Sequence, residues 1–380
     1  MNSSKNLLPC GRKSSILDVP IPGFPGTGVP IHETRGRSRT SAIRRFTLPD
    51  VVRKAWETDA LELAYPDPSD RNGFERFERE AVAVAAKNCP AEITAAMQSM
   101  KTPGGEVALY IQNLPRDPKL PQPPHDGVRP ISKETSVSET VLVGITNFDG
   151  EVFAYKEEKD GRPVQEIAPV PRSERKASNE GRAVLGFHID DSIVMPCARP
   201  KGLGLYGLRN DPLTPTHVLD VNAFHASLPA WLQEQLARAE HCLCAPESFA
   251  FPTETWSAPT SIFSPTGDGR VEMALSIKMR GDNERAQHAL DVVTSALERA
   301  PFESVILGAG SGADLLYFSN RFVAHSRGMI STGARWLQRV FTTPNLDKIR
   351  KMTGTMAPTR SFEARQLMMG HSGGACTRYS

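Results

Sequence analysis

The apolar positions of this chain follow two periods, and the helical one comes first. Residues 51–63, 72–86 and 91–100 pattern as helices, and Thr102-Pro-Gly-Gly105 interrupts them. Beyond that break, short apolar runs bounded by turn residues predict strands at 107–112, 184–189, 204–208, 271–278, 304–307, 314–318 and 336–341. Residues 136–146 suit a short helix entering a strand. Two helices are inserted among the strands, 228–239 and 283–299, the first with Leu228, Trp231, Leu232 and Leu236 on one face. No internal repeat is visible.

Helices first and many short strands afterwards, with 29 Gly and 31 Pro in 380 residues, argue against a helical bundle. Regular strand–helix alternation is absent, so a doubly wound sheet is not expected. The pattern predicts a mainly β fold with flanking helices: a double-sheet jelly roll, that is, a double-stranded β-helix of the cupin-like kind. One domain is expected over 46–380, with its jelly-roll core at about 102–350. The turn-rich segments 112–135 and 156–182 lack an apolar period and are candidate lids.

Charge changes this picture only at the start. The net charge is +2, so no global field points to nucleic acid or membrane, yet residues 1–45 carry a local +6. They read as a flexible basic arm. No stretch is long and apolar enough for a signal sequence or a membrane span, so a cytoplasmic protein with reduced thiols is expected. Cys242 and Cys244 beside His241 do not have zinc spacing and read as ordinary cysteines.

Two motifs invite chemistry. Gly308-Ala-Gly-Ser-Gly312 has the glycines of a phosphate loop, but Asp314-Leu-Leu-Tyr-Phe318 after it reads as a strand, so a strand-connecting loop is expected. His188-Ile-Asp190 places a histidine and a carboxylate on one side of a strand end. Together with a second histidine, that is the donor set of a mononuclear non-heme iron site. The pair alone occurs by chance in a chain of this composition, so its context decides.

The context is Asp160-Gly-Arg-Pro-Val-Gln-Glu-Ile-Ala-Pro-Val-Pro171 before Phe187-His-Ile-Asp190, and Gly204-Leu-Tyr-Gly-Leu-Arg-Asn-Asp211 after it. Later come Gly312-Ala-Asp-Leu-Leu-Tyr-Phe-Ser-Asn-Arg-Phe-Val-Ala-His-Ser-Arg327 and Arg335-Trp-Leu-Gln-Arg339. This succession, over about 102–350, resembles the clavaminate synthase-like branch of the taurine dioxygenase-like Fe(II)/2-oxoglutarate-dependent oxygenases. The resemblance implies an enzyme using Fe(II), 2-oxoglutarate and O2 and releasing succinate and CO2. It implies His188, Asp190 and His325 as metal ligands. It gives Arg339, 14 residues after His325, to the distal carboxylate of 2-oxoglutarate, and Thr216, 28 residues after His188, to the same cosubstrate. An arginine suits that role because its planar fork binds carboxylate through two hydrogen bonds and keeps its charge.

The branch includes amino-acid hydroxylases, so the implied partner is a small molecule, an amino acid or a derivative, with neither membrane nor nucleic acid. A polar residue about 30 positions before the first histidine contacts the substrate in those enzymes, which selects Glu157 or Glu158. Asp282 is a second candidate for a basic side chain, though a turn or helix N-cap is its plainer role. Some of these enzymes carry another arginine just after the cosubstrate arginine; this chain has Thr342-Thr343-Pro344 there. The carboxylate at position 190 favours hydroxylation over halogenation. Desaturation, epoxidation or ring closure at the same centre, and a non-catalytic jelly-roll binding protein, are the alternatives.

Overall fold

The computed structural model describes residues 41–67, 70, 72–210, 214–331 and 333–370. Its largest sheet is mixed and eight-stranded. It contains β1 (Ile43–Thr47), β2 (Ala108–Leu114), β3 (Glu151–Tyr155), β4 (Gln165–Ile167), β6 (Gly202–Arg209), β13 (Ala313–Ser319), β15 (Trp336–Thr343) and β16 (Ser361–Phe362). The order is β1-β2-β13-β6-β15-β3-β16, with β4 also paired to β15. A second, antiparallel sheet has the order β12-β7-β14-β5, from β5 (Leu185–His188), β7 (Thr216–Asp220), β12 (Glu303–Val305) and β14 (Val323–Arg327). Two ribbons complete the sheets: β8 (His241–Leu243) with β11 (Met279–Gly281), and β9 (Phe263–Pro265) with β10 (Val271–Met273).

Strand alternation divides the core. On β6, Leu203 and Leu205 join a cluster shared by both sheets, whereas Tyr206 and Leu208 point the other way. On β13, Leu316 and Phe318 face the shared cluster, and Leu315 and Tyr317 face outward. Val218 of β7 and Val323 of β14 close that cluster from the smaller sheet. The two sheets therefore face each other across one apolar layer.

Helices cover the two outer faces. Trp56 of α1 (Asp50–Leu61), Phe77 of α2 (Gly73–Asn88), Ile93 of α3 (Ala91–Ser99) and Leu142 of α4 (Val137–Thr146) pack on the large sheet. Such burial contributes roughly 1.5–3 kcal/mol per large side chain. Helix α4 is buried all round, which explains an apolar run with no polar face. The smaller sheet is covered by α5 (Val221–Ser227), α6 (Ala230–Leu236) and α7 (Glu284–Arg299). At the C-terminal end of the described chain lie α8 (Leu346–Thr353) and α9 (Ala364–Leu367).

Several expectations need correction. The basic arm falls outside the described residues except at its end, where Ile43–Thr47 is a strand running parallel to β2. The strand expected over 271–278 ends at Met273. Trp231 is 43% exposed and stacks on His288 instead of joining the buried face of α6. Cys89, Cys242 and Cys244 are free, but Cys197 is disulfide-bonded. The Gly308–Gly312 segment does link two strands, β12 and β13. It lies against β6 at Gly207, where a Cβ would come within 2.3 Å of the Gly308 nitrogen. Among the described residues no helix is long and apolar enough to cross a membrane.

Candidate active site

The smaller sheet brings three donors to one point. His188 ends β5 and Asp190 follows two residues later. His325 lies in the middle of β14, directly opposite His188 in the antiparallel register. Opposed residues of such a pair project to the same face. The Asp190 Oδ1 atom stands 3.2 Å from His188 Nε2 and 3.8 Å from His325 Nε2. One donor atom from each residue lies within 4.8 Å of the others, and this is the one such cluster among the described residues.

The protonation states suit a cation. His188 Nδ1–H donates to the Gly186 carbonyl (2.8 Å), which leaves the Nε2 lone pair free. Burial and the neighbouring His188 push the His325 imidazole down to about 3, so it stays neutral. Its Nδ1 is buried without a partner. Burial alone would raise the Asp190 carboxyl, but Arg339 and the two histidines hold it below the usual carboxylate range. Two imidazoles and one carboxylate fit Fe(II) and leave three positions open on an octahedral ion.

The large sheet supplies cations to the same cavity, whose volume is about 210 Å³. Arg339, on β15, is fully engaged. Its Nη1 donates to Asp190 Oδ2 (2.8 Å), its Nη2 pairs with Glu158 Oε1 (2.6 Å), and its Nε donates to Gln165 Oε1 (2.9 Å). Burial opposes its charge, but Glu158, Asp190 and Asp191 more than offset that and hold the guanidinium protonated. Arg335, four residues earlier, also lines the cavity and is buried. It makes no ion pair among the described residues, and its Nε has no hydrogen-bond partner. Burial and the neighbouring Arg327 push it down to about 9. Thr216 opens β7 opposite Arg327, and its buried hydroxyl also lacks a partner.

The acidic candidates separate. Glu158 lines the cavity, with Oε1 accepting from Asn179 Nδ2 (3.0 Å) and Oε2 buried without a donor. The Asn179 Oδ1 is likewise buried and unpaired. Glu157 points elsewhere and caps α9, accepting from the Ala364 N–H (2.8 Å). Asp282 is exposed and does not line the cavity; the N-cap of α7 is its neighbour Asn283. Of the two candidate lids, only 156–182 reaches the cavity, through Glu158, Ile167, Ala177, Ser178 and Asn179. The other, 112–135, is tied to α4 by a buried Lys133–Glu139 pair (2.6 Å).

Sequence reading missed Arg335 and Asn179. The first left a signal, since it stands four residues before Arg339 at the entry to a predicted strand, where extended backbone would put both on one side. Asn179 left none, because it sits in a charged, turn-rich stretch.

No protein-family model matches the chain. It is 28% identical over 263 residues to the L-asparagine oxygenase of Streptomyces coelicolor (strain ATCC BAA-471 / A3(2) / M145), covering 66% of this chain and 74% of that protein. An asparagine oxygenase in complex with Fe(II), (2S,3S)-3-hydroxyasparagine and succinate superposes with a TM-score of 0.72. There the identity is 23%, over 84% of this chain and 99% of the other. The non-heme iron oxygenase OrfP in complex with Fe and α-ketoglutaric acid gives 0.69, again at 23% identity over 84% and 99%. This chain has their fold. The expected resemblance and the mainly β architecture agree with it.

Proposed function

We propose that this chain is an Fe(II)/2-oxoglutarate-dependent oxygenase that hydroxylates an unactivated carbon of an amino acid or an amino-acid-derived small molecule, releasing succinate and CO2. The observation that carries the reading is the convergence of His188, Asp190 and His325 beside two buried arginines. The similarity to an L-asparagine oxygenase supports it. The two facing sheets are read as a double-stranded β-helix, and 46–380 as a single oxygenase domain.

His188, Asp190 and His325 would hold the iron. When bound, iron and the keto acid supply the oxidising power by using O2 to decarboxylate the keto acid. The chain's own residues then bind and orient. Arg339 was the expected anchor for the distal carboxylate, but its charge is already matched by Asp190 and Glu158. Among the described residues Arg335 is a buried cation without an anion, an arrangement that costs several kcal/mol until one arrives. Arg335 and the unpaired Thr216 hydroxyl are therefore assigned the distal carboxylate.

An ammonium group brings three donors, and Glu158 Oε2 and Asn179 Oδ1 are two buried acceptors without one. They are assigned the substrate amino group. Beyond them the wall mixes uncharged residues, including Cys244, Ala245, Ser248 and Ser276, with Glu247 and Lys278. A substrate screen therefore starts with neutral as well as basic amino acids.

The test is an anaerobic titration of metal-free protein with Fe(II) and 2-oxoglutarate, reading the visible charge-transfer band of the chelated keto acid. The expected result is a band that needs His325 and weakens in Arg335→Ala. Admission of O2 with an amino-acid panel should then give one product heavier by one oxygen atom. A folded protein that forms no band would sink the reading.

A further inference from the structure

We propose that Asn320 is the positioning residue for the metal carboxylate, its side-chain amide clamping the Asp190 peptide to the turn that leads into the strand of His325. The inference rests on the iron-site reading above and adds a residue to it.

Asn320 is fully buried in the turn between Ser319, the end of β13, and Val323, the start of β14. Its Oδ1 accepts from the Asp190 N–H (3.0 Å), and its Nδ2 donates to the Asp190 carbonyl (2.9 Å) and to the Pro200 carbonyl (3.3 Å). The reversed amide would set donor against donor and acceptor against acceptor at all three contacts, so the orientation is fixed. Its own N–H donates to the Lys201 carbonyl (2.9 Å). The clamp joins positions 130 residues apart.

The backbone at Asp190 needs such support. Asp191 has φ +55°, a left-handed conformation that crowds the Cβ of a residue other than glycine. With Asn320 holding the peptide and Arg339 holding Oδ2, Oδ1 is the oxygen left facing both histidines. His325 follows Asn320 by five positions along the hairpin. One turn thus sets the position of two of the three donors. Partners that orient metal ligands typically change metal affinity by about 10–100-fold when removed.

The test is an anaerobic titration of the full chain with Co(II), followed by its visible d–d bands, on wild type, Asn320→Ala and Asn320→Asp. Melting temperatures of the metal-free proteins are recorded alongside. Asn320→Ala is expected to bind Co(II) about 10–100-fold more weakly, with altered bands, while still folded at the assay temperature. Asn320→Asp loses both donors and faces two carbonyls with a carboxylate, and should bind no better than the alanine variant. A folded Asn320→Ala that binds within twofold of wild type with the same bands would overturn the proposal. If the alanine variant does not fold, Asn320→Ser decides by the same criterion. Wild type that takes up no Co(II) would instead overturn the iron-site reading itself.

Discussion

His188 and His325 are Cα partners across the β5–β14 pair, and their ring centroids lie 4.2 Å apart. Antiparallel register alone makes them neighbours, although 136 residues separate them in the chain. A shift of one residue in either strand would turn one imidazole to the opposite face. This makes the pair a sharp point of attack. His325→Ala should lose Fe(II) binding and turnover to background, while the metal-free protein keeps its fold. Metal titration beside circular dichroism checks both halves.

The two arginines should respond in opposite directions. Arg339→Ala leaves Glu158 and Asp190 buried without their cation and should destabilise the metal-free protein by about 3–5 kcal/mol. Arg335→Ala removes an unmatched buried charge, so stability should be unchanged or higher. Its affinity for 2-oxoglutarate should fall about 10–100-fold, the value of a charged hydrogen-bonded pair. Urea denaturation and keto-acid titration on the same two proteins test this. Equal destabilisation by both would refute the division of roles.

Glu158→Gln should act on the amino acid more than on the cosubstrate. The amide keeps an acceptor for Asn179 but loses the charge that would face an ammonium. The KM for the amino acid should rise about 10–100-fold, with the affinity for 2-oxoglutarate changed far less. Steady-state kinetics with each substrate varied in turn measure the split.

A pH effect on stability should originate outside the site, at Glu166. Burial, aided by the charge of Glu139, pushes this carboxyl up to about 7. Its oxygens accept from Trp336 Nε1 (2.5 Å) and Gln338 Nε2 (3.1 Å). A raised carboxyl contributes stability that is fully present below the unfolded value and is lost as pH rises through the folded one. Wild type should therefore lose about 3 kcal/mol from this group between pH 4.5 and 7. Glu166→Gln removes that loss. Its new amide can meet the Gln338 Oε1, which is buried and unpaired, once the Gln338 amide turns over. Relative to wild type, the variant should gain about 2–3 kcal/mol at pH 8 compared with pH 5, read from denaturation curves.

What the sequence determined by itself was local. Apolar period located α1–α3 and α7, each of which shows one face to a core, and short apolar runs located β2, β6, β13 and β15, which are buried on both faces. The His188-Ile-Asp190 spacing marked a strand end with two donors on one side, and the order of motifs pointed to His325. Strands β7 and β14 were not legible. The run Val-Ala-His-Ser-Arg of β14 alternates weakly, since its inner face is given to the site.

Tertiary structure decided the rest. It placed Glu158 in the cavity and turned its neighbour Glu157 to a helix cap, a difference that adjacency in the chain cannot express. It filled the hydrogen bonds of Arg339 and, among the described residues, left Arg335 without an ion pair, although the two arginines stand four residues apart and line one cavity. It also set Asn320 against Asp190. Charge pairing and amide clamping depend on which distant backbone and side-chain groups meet in a low-dielectric interior, and a periodicity of one or two turns carries no record of them.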